Sequence, residues 1–151
     1  MKVLKFLNEN HVATTQSQFD YTPYLNGKKR FPKQEVVYCE SGWHGCKPED
    51  IKKWLNRKVL VVELENVEEF DDKVAGTTGR VLPELTTKAQ ELIDEHIPED
   101  VFEKWDVLDK GWAAYGAMWG ALDKARAALY KAWAAYDSPA LIEKLKNLLE
   151  E

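Results

Sequence analysis

The chain has 151 residues, 44% of them hydrophobic and 31% charged, with 21 Lys/Arg against 26 Asp/Glu and a net charge of −5. That balance is the one expected of a soluble protein. It holds no run of about 18 apolar residues to span a membrane, and an acidic total argues against nucleic acid as the partner. The opening Met1-Lys2-Val3-Leu4-Lys5 is charged too soon for a signal peptide, so a cytoplasmic location is expected. Two cysteines are too few for a disulfide scaffold and should be thiols in a reducing compartment.

The charge divides unevenly. Residues 1–86 carry 13 basic and 13 acidic side chains, and residues 87–151 carry 8 and 13. The expected fold class is α+β: a small mixed or antiparallel sheet domain with short helices over 1–86, then helices. A connecting helix is expected at 87–97, a long heptad-repeat helix at 98–137, and a short amphipathic helix at 138–151.

In chain order, Val3 to Asn8 reads as a strand with Leu4 and Phe6 on one face and Val3, Lys5 and Leu7 on the other. Val12 to Gln16 reads as its return. Phe19 to Arg30 is an aromatic loop with Asn26-Gly27 as its turn signal. Glu35 to Glu40 predicts a strand, and Pro48 to about Asn56 a short helix with Pro48 at its first position. Val59 to Leu64 is apolar on both faces, the pattern of a central strand. Lys73 to Ala75 and Arg80 to Leu85 read as strand pieces around a tight hairpin at Gly76-Thr77-Thr78-Gly79. Thr87 with Gln90 three residues on fits a capping box.

The longest pattern follows Pro98. Trp105, Trp112, Trp119, Arg126 and Trp133 share one heptad position, and Leu108, Tyr115, Leu122, Leu129 and Tyr136 share the position three residues on. That is the a/d seam of a coiled coil or helical bundle. From Pro98 to Asp137 a continuous helix would run roughly 60 Å, too long for the front domain to cover. These ten residues are therefore expected to form an interface between copies of the chain, a homo-oligomer. The alternative is that the helix folds back on its own neighbours. Ser138-Pro139 ends the pattern, and Leu141, Ile142, Leu145, Leu148 and Leu149 form the stripe of a last helix.

Cys39-Glu40-Ser41-Gly42-Trp43-His44-Gly45-Cys46, followed by Pro48, a short helix, the Val59–Glu65 strand and Lys73-Val74-Ala75, resembles a bacteriophage-associated domain of unknown function with a Cys-x-x-Gly-aromatic-His-x-Cys motif. The Ala/Trp-rich heptad tail is similar in style to tails found on such phage proteins. The resemblance implies a phage origin, hence the cytoplasm of a host cell, more than any activity. The family's usual residues after the motif's Gly and His are Phe and Ala, where this chain has Trp43 and Gly45. The strand, Gly-aromatic-His, helix, strand order is also faintly similar to half of an ADP-ribosyltransferase fold.

Several groups carry chemistry. Cys39, His44 and Cys46 are weak candidates for a metal, one ligand short of a structural zinc site; a buried thiol pair and a hydrogen-bonded histidine is the plainer reading, and no cofactor is expected. Lys28, Lys29 and Arg30 beside Tyr21 and Tyr24 have the makings of a phosphate grip with stacking rings, or of a solvated loop. Thr77, Thr78 and Arg80 could wrap an anion. With Trp43 and His44 these are the candidate ligand-binding residues. The leading expectation is a non-catalytic binding protein, of the kind a counter-defence factor would be, that captures an anionic nucleotide-like ligand or a host protein. The rivals are an ADP-ribosyl-transferring or nucleotide-processing enzyme using His44 with a carboxylate such as Glu63, and a purely structural oligomerisation module.

Overall fold

The structure, a computed structural model, describes residues 1–13, 18–38, 40–113, 119–134 and 138–151, with the backbone alone described at 107–113, 119–123, 125, 133 and 134. Its strands are β1 (Lys2–Leu7), β2 (Trp43–Gly45), β3 (Lys58–Glu65), β4 (Glu68–Glu69), β5 (Val74–Gly76) and β6 (Thr78–Val81). Its α-helices are α1 (Ile51–Trp54), α2 (Pro83–His96), α3 (Glu99–Ala113), α4 (Trp119–Ala134) and α5 (Ser138–Leu149), with 3-10 turns at Thr22–Tyr24 and Pro48–Asp50.

The strands make two antiparallel sheets, β1-β3-β6 and β2-β5-β4. Two features join them. Leu4 and Cys46 exchange backbone hydrogen bonds of 2.9 and 2.7 Å, linking β1 to β2. On the other side β5 passes into β6 through Thr77 alone, whose N–H donates to the Glu65 carbonyl at 2.9 Å. One stretch of chain thus serves both sheets, and they enclose a common interior. Side-chain alternation sends Val3 and Leu7 of β1 and Leu60, Val62 and Leu64 of β3 inward, where Tyr21, Tyr24, Phe31, Trp43, Val74 and Val81 complete the packing. The opposite face, Leu4, Phe6, Val59 and Val61, meets Ala89 and Ile93 of α2, Val101 and Phe102 of α3, Leu129 and Ala132 of α4 and Leu141, Leu145 and Leu148 of α5 in a second core.

This arrangement overturns the long C-terminal helix. The 98–137 stretch contains two separate helices of 15 and 16 residues, and Cα atoms of α3 come within 8 Å of Cα atoms of α4. In one straight helix, Ala113 and Trp119 would already lie about 9 Å apart along the axis, so α3 and α4 are packed side by side. The heptad seam is real as a pattern, but the apolar arc faces the chain's own elements. Leu129 is buried, Trp105 packs on the sheet-facing core, and Arg126 is half-buried. The side chains of Leu108, Trp112, Trp119, Leu122 and Trp133, and Tyr115 and Tyr136 altogether, lie outside the described residues. No coiled coil is formed by these helices.

Smaller corrections follow. Glu35 to Glu40 is not a strand: Val37 and Ser41 close a tight turn with bonds of 3.1 and 3.2 Å. The edge of β6 is taken instead by residues 31–34, with Phe31 N–H to the Gly79 carbonyl at 2.9 Å and Gln34 N–H to the Thr77 carbonyl at 2.8 Å, so a β-branched pair lost to a partner already in place. The 76–79 segment is a crossing between sheets and no hairpin, because β5 and β6 have different partners. α2 starts at Pro83, which needs no N–H there. Thr87 lies inside α2, and Gln90 spends its amide on Val59 N–H and the Arg57 carbonyl, at 2.9 and 3.1 Å. Of the return strand, Val12 keeps a single bridge to Asp20, and 14–17 lie outside the described residues. No helix among the described residues is long and apolar enough to cross a membrane.

Candidate functional site

The aromatic residues of the 19–31 loop form a ring cluster in the interior. Tyr21 and Phe31 meet edge to face at 5.5 Å, Phe31 and Trp43 lie 4.9 Å apart, and Phe19 contacts Tyr21, Tyr24 and Trp43. The Trp43 indole N–H donates to the Pro32 carbonyl at 2.7 Å. Tyr21, Tyr24 and Trp43 are all buried, and burial raises the Tyr21 phenol well above its ordinary range. In this packing they stack on one another, and a ligand ring would have to displace core to reach them.

The basic loop is largely answered by the chain's own groups. Asn26 accepts from Lys28 N–H at 2.9 Å, and Gly27, at φ +74°, sits where a Cβ would fall 2.6 Å from the Val81 carbonyl. Arg30 is paired with Glu65, Arg80 with Glu63 at 3.1 Å, and the Lys29 ammonium lies 5.0 Å from the Tyr24 ring centroid. Thr78 donates its hydroxyl to the Phe31 carbonyl at 2.7 Å, and Thr77 accepts from Asn66 at 3.1 Å. The structure therefore gathers Arg30, Thr77, Thr78 and Arg80 at one end of the sheet, but as cross-links with their charges matched. Glu63 is held by Arg80 on β3, while His44 is on β2 with β1 between them, so the pair required by an ADP-ribosyl-transfer reading is not assembled.

A different set of cations converges beside the Leu4–Cys46 link. Lys5 follows Leu4 on β1, His44 pairs with Ala75 across β2 and β5, and Lys73 precedes Val74, the partner of Gly45. All three are half-buried. Lys5 occupies the inward phase of β1, between Val3 and Leu7, and its ammonium lies 5.8 Å from the Tyr21 ring centroid. Among the described residues no carboxylate comes within 4 Å of it. Burial, with the charge of Lys73 adding to it, lowers Lys5 to about 8. Burial, then Lys5 and Lys73, lowers His44 to about 4, so its imidazole is neutral at physiological pH. The His44 Nε2 atom is buried without a hydrogen-bond partner. Lys5 was legible in the sequence as a charge on an apolar face; the approach of Lys73 depends on the β2–β5 pairing and was not.

Cys46 is buried in the outer core, where burial raises its thiol far above the ordinary value, and Cys39 lies outside the described residues. Among the described residues no three His, Cys, Asp or Glu side chains gather as a metal-binding group. A cleft of about 360 Å³ lies elsewhere, lined by Glu9, Arg57, Lys58, Gln90, Asp94, Glu99 and Phe102. Its polar groups are largely bonded to one another, and it marks the join between sheet and helices. Comparison of the chain with known protein families, with curated proteins and with solved structures finds no match.

Proposed function

We propose that the protein is a non-catalytic binding protein that captures a small anion at the slot bounded by Lys5, His44 and Lys73. The observation that carries this reading is Lys5: a half-buried ammonium without a carboxylate partner, on the inward phase of a central strand, beside a histidine with an unpartnered buried nitrogen. Burying an unpaired cation costs free energy, and an anionic ligand supplies the missing countercharge and acceptor atoms. The Arg30 and Arg80 side chains support a lesser role for the originally expected loop, since each already holds a glutamate.

The test is thermal denaturation of the whole chain with inorganic phosphate, pyrophosphate and acetate at constant ionic strength. Binding to the native state raises the melting temperature in proportion to the logarithm of ligand concentration. Lys5→Met should abolish that rise, while Lys28→Met, in the exposed loop, should leave it intact. A wild-type melting temperature indifferent to every anion would refute the reading.

A further inference from the structure

We infer that the captured anion carries a planar aromatic ring, which rests on Tyr38 and Phe70 while its phosphate reaches Lys73 and Lys5; this deepens the anion-capture reading above and rests on it. Val37 and Tyr38 are sequence neighbours, and both are large apolar residues left in water, 38% and 63% exposed. The Tyr38 ring lies 5.0 Å from Phe70 at an interplanar angle of 53°, and the Lys73 ammonium is 5.0 Å from the Tyr38 ring centroid. Lys73 is the same cation that acts on Lys5 and His44, so the exposed ring borders the slot.

The ring is held in place by its backbone. Val37 accepts from the N–H groups of Glu40 and Ser41 at 3.0 and 3.1 Å and donates to Ser41, and Ser41 Oγ donates to the Glu35 carbonyl. Gly42 N–H donates to the Gln34 side chain at 3.1 Å. On the other side Phe70 N–H donates to the Lys73 carbonyl at 2.8 Å, fixing Phe70 and Lys73 to one short turn. A tyrosine presented to solvent on a closed turn, against a second ring and a lysine, offers a π-face and a positive charge side by side. An aryl phosphate or a nucleobase-bearing phosphate matches both at once. The buried Tyr21, Tyr24 and Trp43 cannot supply that face without unpacking the interior.

The experiment is isothermal titration of the whole chain with inorganic phosphate, phenyl phosphate and cyclohexyl phosphate, at fixed pH and ionic strength. Phenyl phosphate is expected to bind about fivefold or more tightly than cyclohexyl phosphate, the increment of one stacked ring. Tyr38→Ala should bring that ratio close to one. Tyr130→Ala, an exposed tyrosine on α4 at 58%, should leave the ratio as in the native chain. Equal binding of the phenyl and cyclohexyl esters, with inorganic phosphate also bound, overturns the ring inference and leaves the anion reading standing. Failure of all three phosphates to bind overturns both.

Discussion

Arg57 Nη2 donates to Asp106 Oδ2 at 2.6 Å, and Nε of the same guanidinium reaches that oxygen at 3.1 Å, across 49 residues of sequence. The other nitrogen of the fork, Nη1, donates to Glu99 at 2.8 Å, and Glu9, in the turn after β1, lies 3.3 Å from Nε. One arginine thereby ties the end of the sheet to two turns of α3, and the hydrogen bonds to Asp106, then Glu99, raise its pKa further still. Its side chain is only one-fifth exposed, so these bonds are worth more than a surface pair. Arg57→Met is expected to lower stability by about 1–3 kcal/mol, read from urea unfolding. Arg57→Lys should recover little of it, because an ammonium cannot serve two carboxylates as a planar fork. Equal stability of the Met variant would mean that packing alone seats α3.

The same join bears on what can fold alone. Leu4, Phe6, Val59 and Val61 are covered in part by Val101, Phe102, Leu129, Leu141 and Leu145, all beyond residue 97. A fragment of residues 1–97 would expose that face. It is expected to lack a cooperative thermal transition and to bind a hydrophobic dye, whereas the whole chain should unfold in one step. A cooperative transition in the fragment would show that the outer face is dispensable.

The sheet was readable from the sequence where alternation was strong. β1 and β3 stand within a residue of their expected bounds, with Leu4 and Phe6 opposite Val3, Lys5 and Leu7 as the pattern required. α5 was readable for the same reason: its leucine stripe has one answer. The α3–α4 pair was not, because an a/d seam describes a helix facing a helix and is silent on whether the partner belongs to the same chain. Nor was β2. Trp43-His44-Gly45 reads as a loop motif, and its strand pairing depends on Val74 and Gly76, some thirty residues on. The cations of the slot meet only through that pairing. The sequence pointed to the Lys28–Arg30 run because adjacent charges are visible in a string; the glutamates that neutralise Arg30 and Arg80 come from β3.

Gly45 should be the most sensitive position in the motif. A Cβ there would lie 2.4 Å from Val3 Cγ2 and 2.9 Å from the Leu4 carbonyl oxygen, next to the Leu4–Cys46 pair that links the sheets. The backbone carbonyl cannot give way without breaking that link. Gly45→Ala is expected to cost about 2–3 kcal/mol or more, measured by chemical denaturation. Gly42→Ala supplies a contrast: its nearest contacts are at 3.4 and 3.5 Å, and strain arises there from φ +108° alone. If Gly45→Ala were the milder change, the close approach of β2 to β1 would be incorrect.

Lys5 and His44 give the slot a pH signature whose sign can be worked out. His44 is lowered from 6.5 to about 4, so the unfolded chain takes up its proton first. Its neutral form favours the fold above pH 6.5, and that stability is lost as pH falls from 6.5 towards 4, by on the order of 2 kcal/mol. Lys5 is lowered from 10.5 to about 8. Below pH 8 the native state therefore carries the full cost of its buried charge, and stability contributed by this group rises as pH climbs from 8 to 10.5. Lys5→Met keeps the apolar stem and removes the charge, so at pH 7 it is expected to stabilise the protein by about 1–3 kcal/mol. It should also flatten the rise between pH 8 and 10.5, and His44→Gln should flatten the loss below pH 6.5. Urea midpoints across pH 4 to 10 check all three. A residue whose removal stabilises the fold is kept for something other than the fold. A destabilised Lys5→Met would place the ammonium in the structural framework and take away the argument that the slot awaits an anion.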